Sequence, residues 1–271
     1  MKYSVLVMLF IGLLSCKEAK KTEQPVMEVE VTTEVEEIDL SKYPQGLVKI
    51  LDAHGGLKNW KNKKSLVYDI PKPGKTETHT TNLYSRMDKV ETPDFSMGFD
   101  GEQVWLMDSS NSYQGDPVFY HNLMFYFYAM PFVLADDGIV YGTAEDVLFE
   151  GKTYPGISIS YNPGVGISYK DEYYIHYDPE TFQMAWLGYT VSYRSGEKSD
   201  NIKWIRYNDW MEVSDVVLPK SMSWYSYEGR TMKESQNTVP FENVVLSVTA
   251  KPDAFFEKPP QAKFVEGKVQ E

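Results

Sequence analysis

Ten short segments with the composition of β-strands follow one another between residues 65 and 249, and no other feature constrains the fold as strongly. They are rich in aromatic and β-branched residues, and tight-turn sequences such as Asp178-Pro179-Glu180-Thr181 separate them. Short connections favour pairing of consecutive strands, so the pattern predicts a mainly β fold built as an antiparallel meander. The predicted strands are 65–70, 76–90, 103–107, 146–150, 156–161, 172–177, 184–193, 202–210, 220–227 and 244–249.

Two segments have helical rather than strand features. Residues 43–54 place apolar side chains at helical spacing, and the glycine pair 55–56 that follows is a stop signal. Residues 118–130 are too apolar and too long for an ordinary strand, and they predict a buried helix that ends before Pro131. The chain is therefore expected to be β with few helices.

The amino terminus has the pattern of a secretory signal. Lys2 precedes an apolar run over residues 3–14, which is too short to span a bilayer. The run ends in Leu13-Leu14-Ser15-Cys16, which resembles a bacterial lipobox, although Leu14 departs from the commonest form of that motif. The resemblance implies removal of residues 1–15 and acylation of Cys16, with palmitate-type chains that anchor the protein in a membrane. The alternative is ordinary secretory cleavage with an incidental cysteine.

Charge and cysteine content exclude several classes of partner and bond. Removing 15 of 271 residues leaves 256, enough for one large β domain or two ordinary domains. The net charge of −12 becomes −13 when Lys2 is removed, so binding to nucleic acid or to anionic lipid head groups is not expected. Cys16 is the only cysteine, so no disulfide forms within the chain. No second run long enough for a transmembrane helix follows it.

The predicted domain organisation has four parts. They are a signal peptide over residues 1–15, a lipidated cysteine and acidic tether over 16–41, a single β domain over 42–256, and a flexible tail over 257–271. Seven acidic residues and no basic one lie between residues 23 and 39, which favours a disordered tether over a short strand. Whether the domain faces the periplasm or the cell surface stays open.

Motifs for catalysis and cofactors are absent from the sequence. The four histidines stand far apart with no partner at metal-ligand spacing, and His54 is expected to cap its helix. No Gly-x-Ser-x-Gly elbow occurs, and Gly164-Val165-Gly166 is a turn rather than a nucleotide loop. Carboxylate pairs such as Asp136-Asp137 and Asp171-Glu172 fit solvated loops better than glycoside hydrolysis. We predict no metal, no cofactor and no catalytic residue, and we favour a non-enzymatic protein.

Aromatic residues make up 14% of the chain, with 20 Tyr, 13 Phe and 6 Trp. Trp186, Trp204 and Trp224 fall on successive predicted strands, so several rings could share one face of the sheet. Such a face is either a packed β core or a ligand-lined surface, and the sequence leaves both open.

Four short motifs resemble a known group of proteins when they are taken together. They are Gly55-Gly56-x-x-x-Trp60, Leu66-Val67-Tyr68, and residues 99–105 and 174–181. The combination resembles uncharacterised Bacteroidota envelope lipoproteins that are distantly related to lipoprotein-localisation factors. The resemblance implies a strongly curved antiparallel sheet that forms an open half-barrel, with helices packed on its concave face around an apolar cavity.

The resemblance also implies a function and a set of wall residues. The expected protein is a lipid-anchored component of the outer membrane that binds a lipid or an acylated partner in the half-barrel. Alternatives are an envelope glycan- or lipid-acting hydrolase that uses dispersed Asp and Glu, and a surface module that binds glycan or protein through exposed aromatics. The expected wall residues, which are core residues in the alternative interpretation, are Trp105, Phe125, Phe127, Met130 and Trp186.

Overall fold

The computed structural model describes residues 38–164 and 169–267. Over these residues the mainly β prediction is confirmed: the chain forms two antiparallel sheets of seven strands each, which are curved but not closed. The predicted signal peptide, Cys16 and most of the acidic tether lie outside the described residues.

The first sheet has the strand order β13-β1-β2-β3-β4-β5-β14. The predicted strand 76–90 is a hairpin in the structure, because the chain reverses at Arg86, whose φ is 61°. β14 lies in the segment predicted as a flexible tail, and it pairs with the edge of β5. The strands are β1 Ser65–Lys72, β2 Lys75–Asn82, β3 Asp88–Glu91, β4 Ser96–Phe99, β5 Val104–Met107, β13 Glu242–Ser247 and β14 Lys263–Phe264.

The second sheet has the order β12-β11-β10-β9-β8-β7-β6, so each strand pairs with its neighbour in the chain. This is the meander that the short connections predict. The sequence pattern missed β12 because its residues are almost all polar and carry no alternation. The strands are β6 Ile139–Phe149, β7 Lys152–Tyr161, β8 Tyr173–Tyr177, β9 Met184–Tyr189, β10 Lys203–Val213, β11 Val216–Glu228 and β12 Thr231–Pro240.

The helices are short. The first helical prediction matches α1 Gln45–Ala53, which α2 Leu57–Lys61 follows after the two glycines. The predicted helix over residues 118–130 is divided into α3 Pro117–Tyr120 and α4 Leu123–Tyr128, and a 3₁₀ turn, Phe132–Ala135, comes next. We call residues 117–135 the helical insert. No helix within the described ranges has the length and apolar character needed to cross a membrane.

The two sheets share one main core, and the helical insert lies between them. β12 ends at Pro240 and β13 begins at Glu242, so the chain passes from one sheet to the other through Phe241 alone. From the insert, the Phe127 ring lies 4.9 Å from Tyr189 of the second sheet, and the Tyr128 ring lies 4.5 Å from Tyr68 of the first. We call the faces that meet this core the inner faces of the sheets.

Candidate functional site

The five predicted wall residues do not lie together. Phe125, Phe127 and Met130 are in the main core, as expected for an insert between the sheets. Trp105 lies on the outer face of the first sheet, where its Nε1 donates to the carbonyl of Phe256 at 2.9 Å. Trp186 lies on the outer face of the second sheet. Side chains alternate between faces along a strand, and an aromatic residue type does not reveal which face it occupies.

The outer face of the second sheet has a small core of its own. Trp186 and Trp204 share this face, as the strand spacing suggested, and both are fully buried. The guanidinium of Arg206 lies 4.9 Å from the centre of the Trp186 ring. Arg230, in the turn before β12, donates to the carbonyl of Glu145 in β6 at 2.7 Å and so joins the two edges of the sheet. These aromatics therefore pack the protein rather than offer an open surface.

The helical insert is attached to its surroundings through side chains. The hydroxyl of Tyr207 donates to the carbonyl of Phe127 at 2.9 Å, and Tyr141 donates to the carbonyl of Leu134 at 2.6 Å. Tyr43 donates in the same way to Ala135, at 2.9 Å. Within the described residues, no backbone hydrogen bond joins the insert to a strand. In the described part of the chain, the hydrogen bonds between the insert and the strands are therefore made through side chains.

A group of polar side chains lies where the insert meets the inner face of the first sheet. Tyr68, His79 and Glu77 share this face, since Tyr68 pairs with His79 and Glu77 lies two residues before it on β2. The members of this polar cluster are Tyr68, Glu77, His79, Asp88, Tyr120, His121 and Tyr128, and all but Tyr120 are buried. A set of ionisable groups this deep in an apolar core makes the cluster the candidate functional site.

Two carboxylates of the cluster bind side chains of the insert. His121 Nδ1 lies 2.6 Å from Asp88 Oδ2, and the Tyr120 hydroxyl donates to Glu77 Oε2 at 2.7 Å. His79 Nε2 lies 3.6 Å from the same Glu77 oxygen. Together, these contacts attach the end of α3 to the carboxylates of the first sheet.

The surroundings shift the pKa values of the two carboxyl groups in opposite directions. Burial raises the pKa of Asp88, and the contact with His121 opposes this only in part. Burial also raises the pKa of Glu77, but the nearby His79 ring, the hydrogen bond from Tyr120 and the charge of Lys72 outweigh it, so the net pKa is lowered. Glu77 therefore carries a negative charge inside the core.

Four buried polar atoms of the cluster make no hydrogen bond within the described residues. They are the hydroxyls of Tyr68 and Tyr128, the Nε2 atom of His79 and the Oδ1 atom of Asp88. Burial is the main cause that raises the pKa of both tyrosines, so both hydroxyls keep their protons. An unpaired buried polar atom costs about 1–3 kcal/mol, and four of them in one cluster call for an explanation.

The sequence did not reveal this cluster. Glu77, His79 and Thr81 occupy alternate positions of β2 and face inward, whereas the intervening residues are also polar. On a strand that is polar on both faces, alternation cannot identify the buried side. His121 lay inside a run predicted as an apolar helix, and its carboxylate partner is 33 residues away in the chain.

His54 ends α1 as its C-cap residue through its backbone N–H, whereas its ring, which was expected to cap the helix, links two strands of the second sheet. The Met184 N–H donates to its Nε2 at 3.0 Å, so Nδ1 carries the proton and donates to the carbonyl of Val217 at 3.1 Å. Burial lowers the pKa of His54 to about 4, which keeps the ring neutral. Within the described ranges, no group of three or more His, Cys, Asp or Glu side chains could hold a metal ion.

Comparison with known proteins shows the following. The model of a family described as "Family of unknown function (DUF6503)" matches residues 106–236. No curated protein matches the chain.

Solved structures with a similar fold include a LolA superfamily protein from Nitrosomonas europaea, with a TM-score of 0.46 and 10% identity, over 77% of this chain and 96% of that one. A DUF1329 family protein from Desulfovibrio piger has a TM-score of 0.47 and 11% identity, over 78% of this chain and 95% of that one. A putative outer membrane lipoprotein-sorting protein domain from Vibrio parahaemolyticus has a TM-score of 0.34 and 7% identity, over 76% and 97%. At these identities the likeness concerns the fold, and it assigns no ligand to this chain.

Proposed function

We propose that this protein is a lipid-anchored component of the outer membrane that binds an apolar ligand, a lipid or an acylated partner, between the inner faces of its two sheets. The observation that carries the proposal is the attachment of the helical insert. It fills the space between the sheets with Phe125, Phe127 and Met130, yet side chains alone tie it to the strands in the described part of the chain. An acyl chain takes the place of these side chains when the insert moves.

Moving the insert has costs and a gain. It breaks the tyrosine hydrogen bonds to Phe127, Leu134 and Ala135, each of which contributes about 1 kcal/mol. It also separates Tyr120 and His121 from their carboxylate partners and uncovers the apolar side chains that the insert buries. An acyl chain that covers the apolar surface of the two sheets regains about 0.8 kcal/mol for each buried methylene.

Burial of the polar cluster and of the tryptophans supports binding over the two alternatives. Glu77 is 7% exposed and Asp88 2% exposed, whereas a hydrolase needs water beside its carboxylates. A surface-binding module needs exposed aromatics, but Trp105, Trp186 and Trp204 are fully buried. The ligand-binding proposal needs neither feature.

The anchor and the binding site are tested on the full chain carrying Cys16→Ala. We expect this protein to leave the membrane fraction, because acylation at that position is lost. Purified, it should bind a fluorescent fatty-acyl probe, and native mass spectrometry should show a lipid-sized adduct. Unchanged membrane association would contradict the anchor. Absence of both adduct and probe binding would contradict the binding site.

A matched pair of variants tests whether the insert is the part that moves. Tyr207→Phe removes the hydrogen bond to Phe127, so the open state becomes easier to reach and the probe should bind up to about fivefold more tightly, although the protein is less stable. Tyr227→Phe removes an exposed hydrogen bond to Asn201 and should leave affinity unchanged. Equal affinities for both variants would argue against a mobile insert.

A further inference from the structure

We propose that the polar cluster selects the head group of the ligand, and that this head group is uncharged and bears free hydroxyls, as in a monoacylglycerol, rather than an anionic fatty-acid carboxylate. This inference rests on the proposed function, since it concerns the ligand of the same site. It starts from three of the four cluster atoms that lack partners in the described structure, the hydroxyls of Tyr68 and Tyr128 and the Oδ1 atom of Asp88.

The three atoms belong to side chains that lie close together. The Tyr68 and Tyr128 rings are 4.5 Å apart, and the Tyr68 ring stacks on His79 at 4.9 Å. Asp88 lies on β3, next to β2, and its charge is among those that act on the Tyr68 hydroxyl. Two hydroxyls and one carboxyl oxygen without partners are thus found within one group of neighbouring side chains.

This region adjoins both the mobile segment and the apolar core. Tyr128 belongs to α4, whose other buried residues include Phe125 and Phe127. When the insert moves, its apolar side chains leave space beside the same atoms. An amphiphile therefore fits with its acyl chain along the second sheet and its polar end against the first.

The donors and acceptors of the region define the head group. The two tyrosine hydroxyls can donate or accept, whereas an ionised Asp88 oxygen only accepts. A ligand hydroxyl can donate to Asp88 and accept from a tyrosine, so it satisfies the atoms that are unpaired without it. A saturated hydrocarbon end would leave them unpaired.

The charges of the region oppose an anion. Glu77 and Asp88 both face it, and the Lys72 ammonium lies 3.6 Å from Glu77 and is already paired with that carboxylate. Arg86, which follows β2, is bound to Asp136 at 2.6 Å. A fatty-acid carboxylate would be placed beside like charges in a region that water does not screen.

The test compares a monoacylglycerol with the fatty acid of the same chain length, at a pH where the acid is ionised, on the full chain carrying Cys16→Ala. We expect the monoacylglycerol to bind at least about tenfold more tightly. Adding Tyr68→Phe and Tyr128→Phe should reduce that preference about tenfold while binding of the fatty acid changes little. Tyr227→Phe is the matched control and should leave the preference intact.

Stability of the ligand-free protein gives a second, independent result. Because the two hydroxyls have no partner among the residues that the structure describes, the double tyrosine variant should unfold at the same denaturant concentration as the parent, or at a higher one. A clear loss of stability would show that the hydroxyls serve the fold, and it would overturn the assignment.

The outcomes separate this inference from the proposed function. Equal affinity for both probes, or tighter binding of the fatty acid, overturns the head-group assignment and leaves acyl binding in place. Failure of both probes to bind overturns the proposed function and the assignment with it.

Discussion

The inner faces of the two sheets have the same architecture and opposite chemistry. The second sheet presents aliphatic side chains such as Ile159, Ile175, Leu187 and Ile205 to the main core. The first sheet buries polar side chains on β2 and β3, at the same depth, beside the apolar residues of β1. The inner face of the second sheet stabilises the fold, whereas the inner face of the first sheet buries polar groups, which lowers the stability of the fold.

The helical insert contacts the second sheet through apolar side chains and the first sheet through polar ones. Its Phe127 packs against Tyr189 of the second sheet, whereas Tyr120 and His121 bind the carboxylates of the first. A protein that only needed to be stable would gain from apolar residues on both faces. Retention of the polar face is therefore better explained by a ligand than by folding.

The histidines test the comparison between the two sheets, and they give the largest expected effect on the stability of the protein. His54 bonds β9 and β11 of the second sheet, and His176 lies on the outer face of that sheet, in β8. Neither has a carboxylate partner among the contacts described, and burial lowers the pKa of each from 6.5 to about 4. The unfolded chain then binds protons that the folded chain does not. The contribution of these two neutral histidines to the free energy of unfolding is present in full above pH 6.5. It is lost as the pH falls towards 4, by about 3 kcal/mol for each histidine.

The measurement is the free energy of unfolding in urea across this pH window. His54→Gln and His176→Gln should each make its pH dependence less steep by about one proton. His79 of the first sheet and His121 of the helical insert lie beside Glu77 and Asp88 instead. A free energy that stays level between the two pH values would contradict the assignment of neutral histidines.

Truncation on the aliphatic face should have the next largest effect. Leu187 is fully buried in β9, so Leu187→Ala should lower the free energy of unfolding by about 3 kcal/mol, through lost burial and a cavity. Leu148→Ala on β6, where the side chain is 66% exposed, is the matched control and should change it by less than about 0.5 kcal/mol. Chemical denaturation of both variants measures the two losses. Similar losses would mean that the inner face of the second sheet does not stabilise the fold more than its exposed surface does.

The smallest expected effect concerns the polar face. Tyr120→Phe removes the donor to the buried Glu77 carboxylate and should lower the free energy of unfolding by about 1–2 kcal/mol. Tyr174→Phe removes the same kind of bond to Glu172, whose side chain is 38% exposed, and should lower it by less than about 1 kcal/mol. If the two losses are equal, burial of Glu77 does not strengthen the contact with the insert.

Much of the fold could be predicted, because the sequence signals for strands, turns and helices depend on residues that are close together in the chain. Turn residues and alternation located most strands, and the spacing of apolar residues located α1. The hairpin of β2 and β3 was read as one strand because its turn, around Arg86, has no glycine or proline. β12 was missed because a polar edge strand has no apolar pattern.

The candidate site could not be predicted to the same extent. Phe125, Phe127 and Met130 were placed in the interior because a run of apolar residues must be buried wherever it lies. Trp105 and Trp186 were assigned to the same wall, but they lie on the outer faces of different sheets. Their function as ligand contacts stays a prediction, and their burial is accounted for by Phe256 and by the second small core.

By itself, the sequence determined the class of fold and the positions of most of its strands, because turns, alternation and helical spacing act over a few neighbouring residues. Only the tertiary structure decided which face of each strand is inside, since both faces of these sheets are covered and alternation distinguishes two sides without naming the buried one. The same limit applies to the polar cluster. Glu77, His121 and Tyr68 come from distant parts of the chain, and they meet only because strand pairing and the return of the helical insert bring them together.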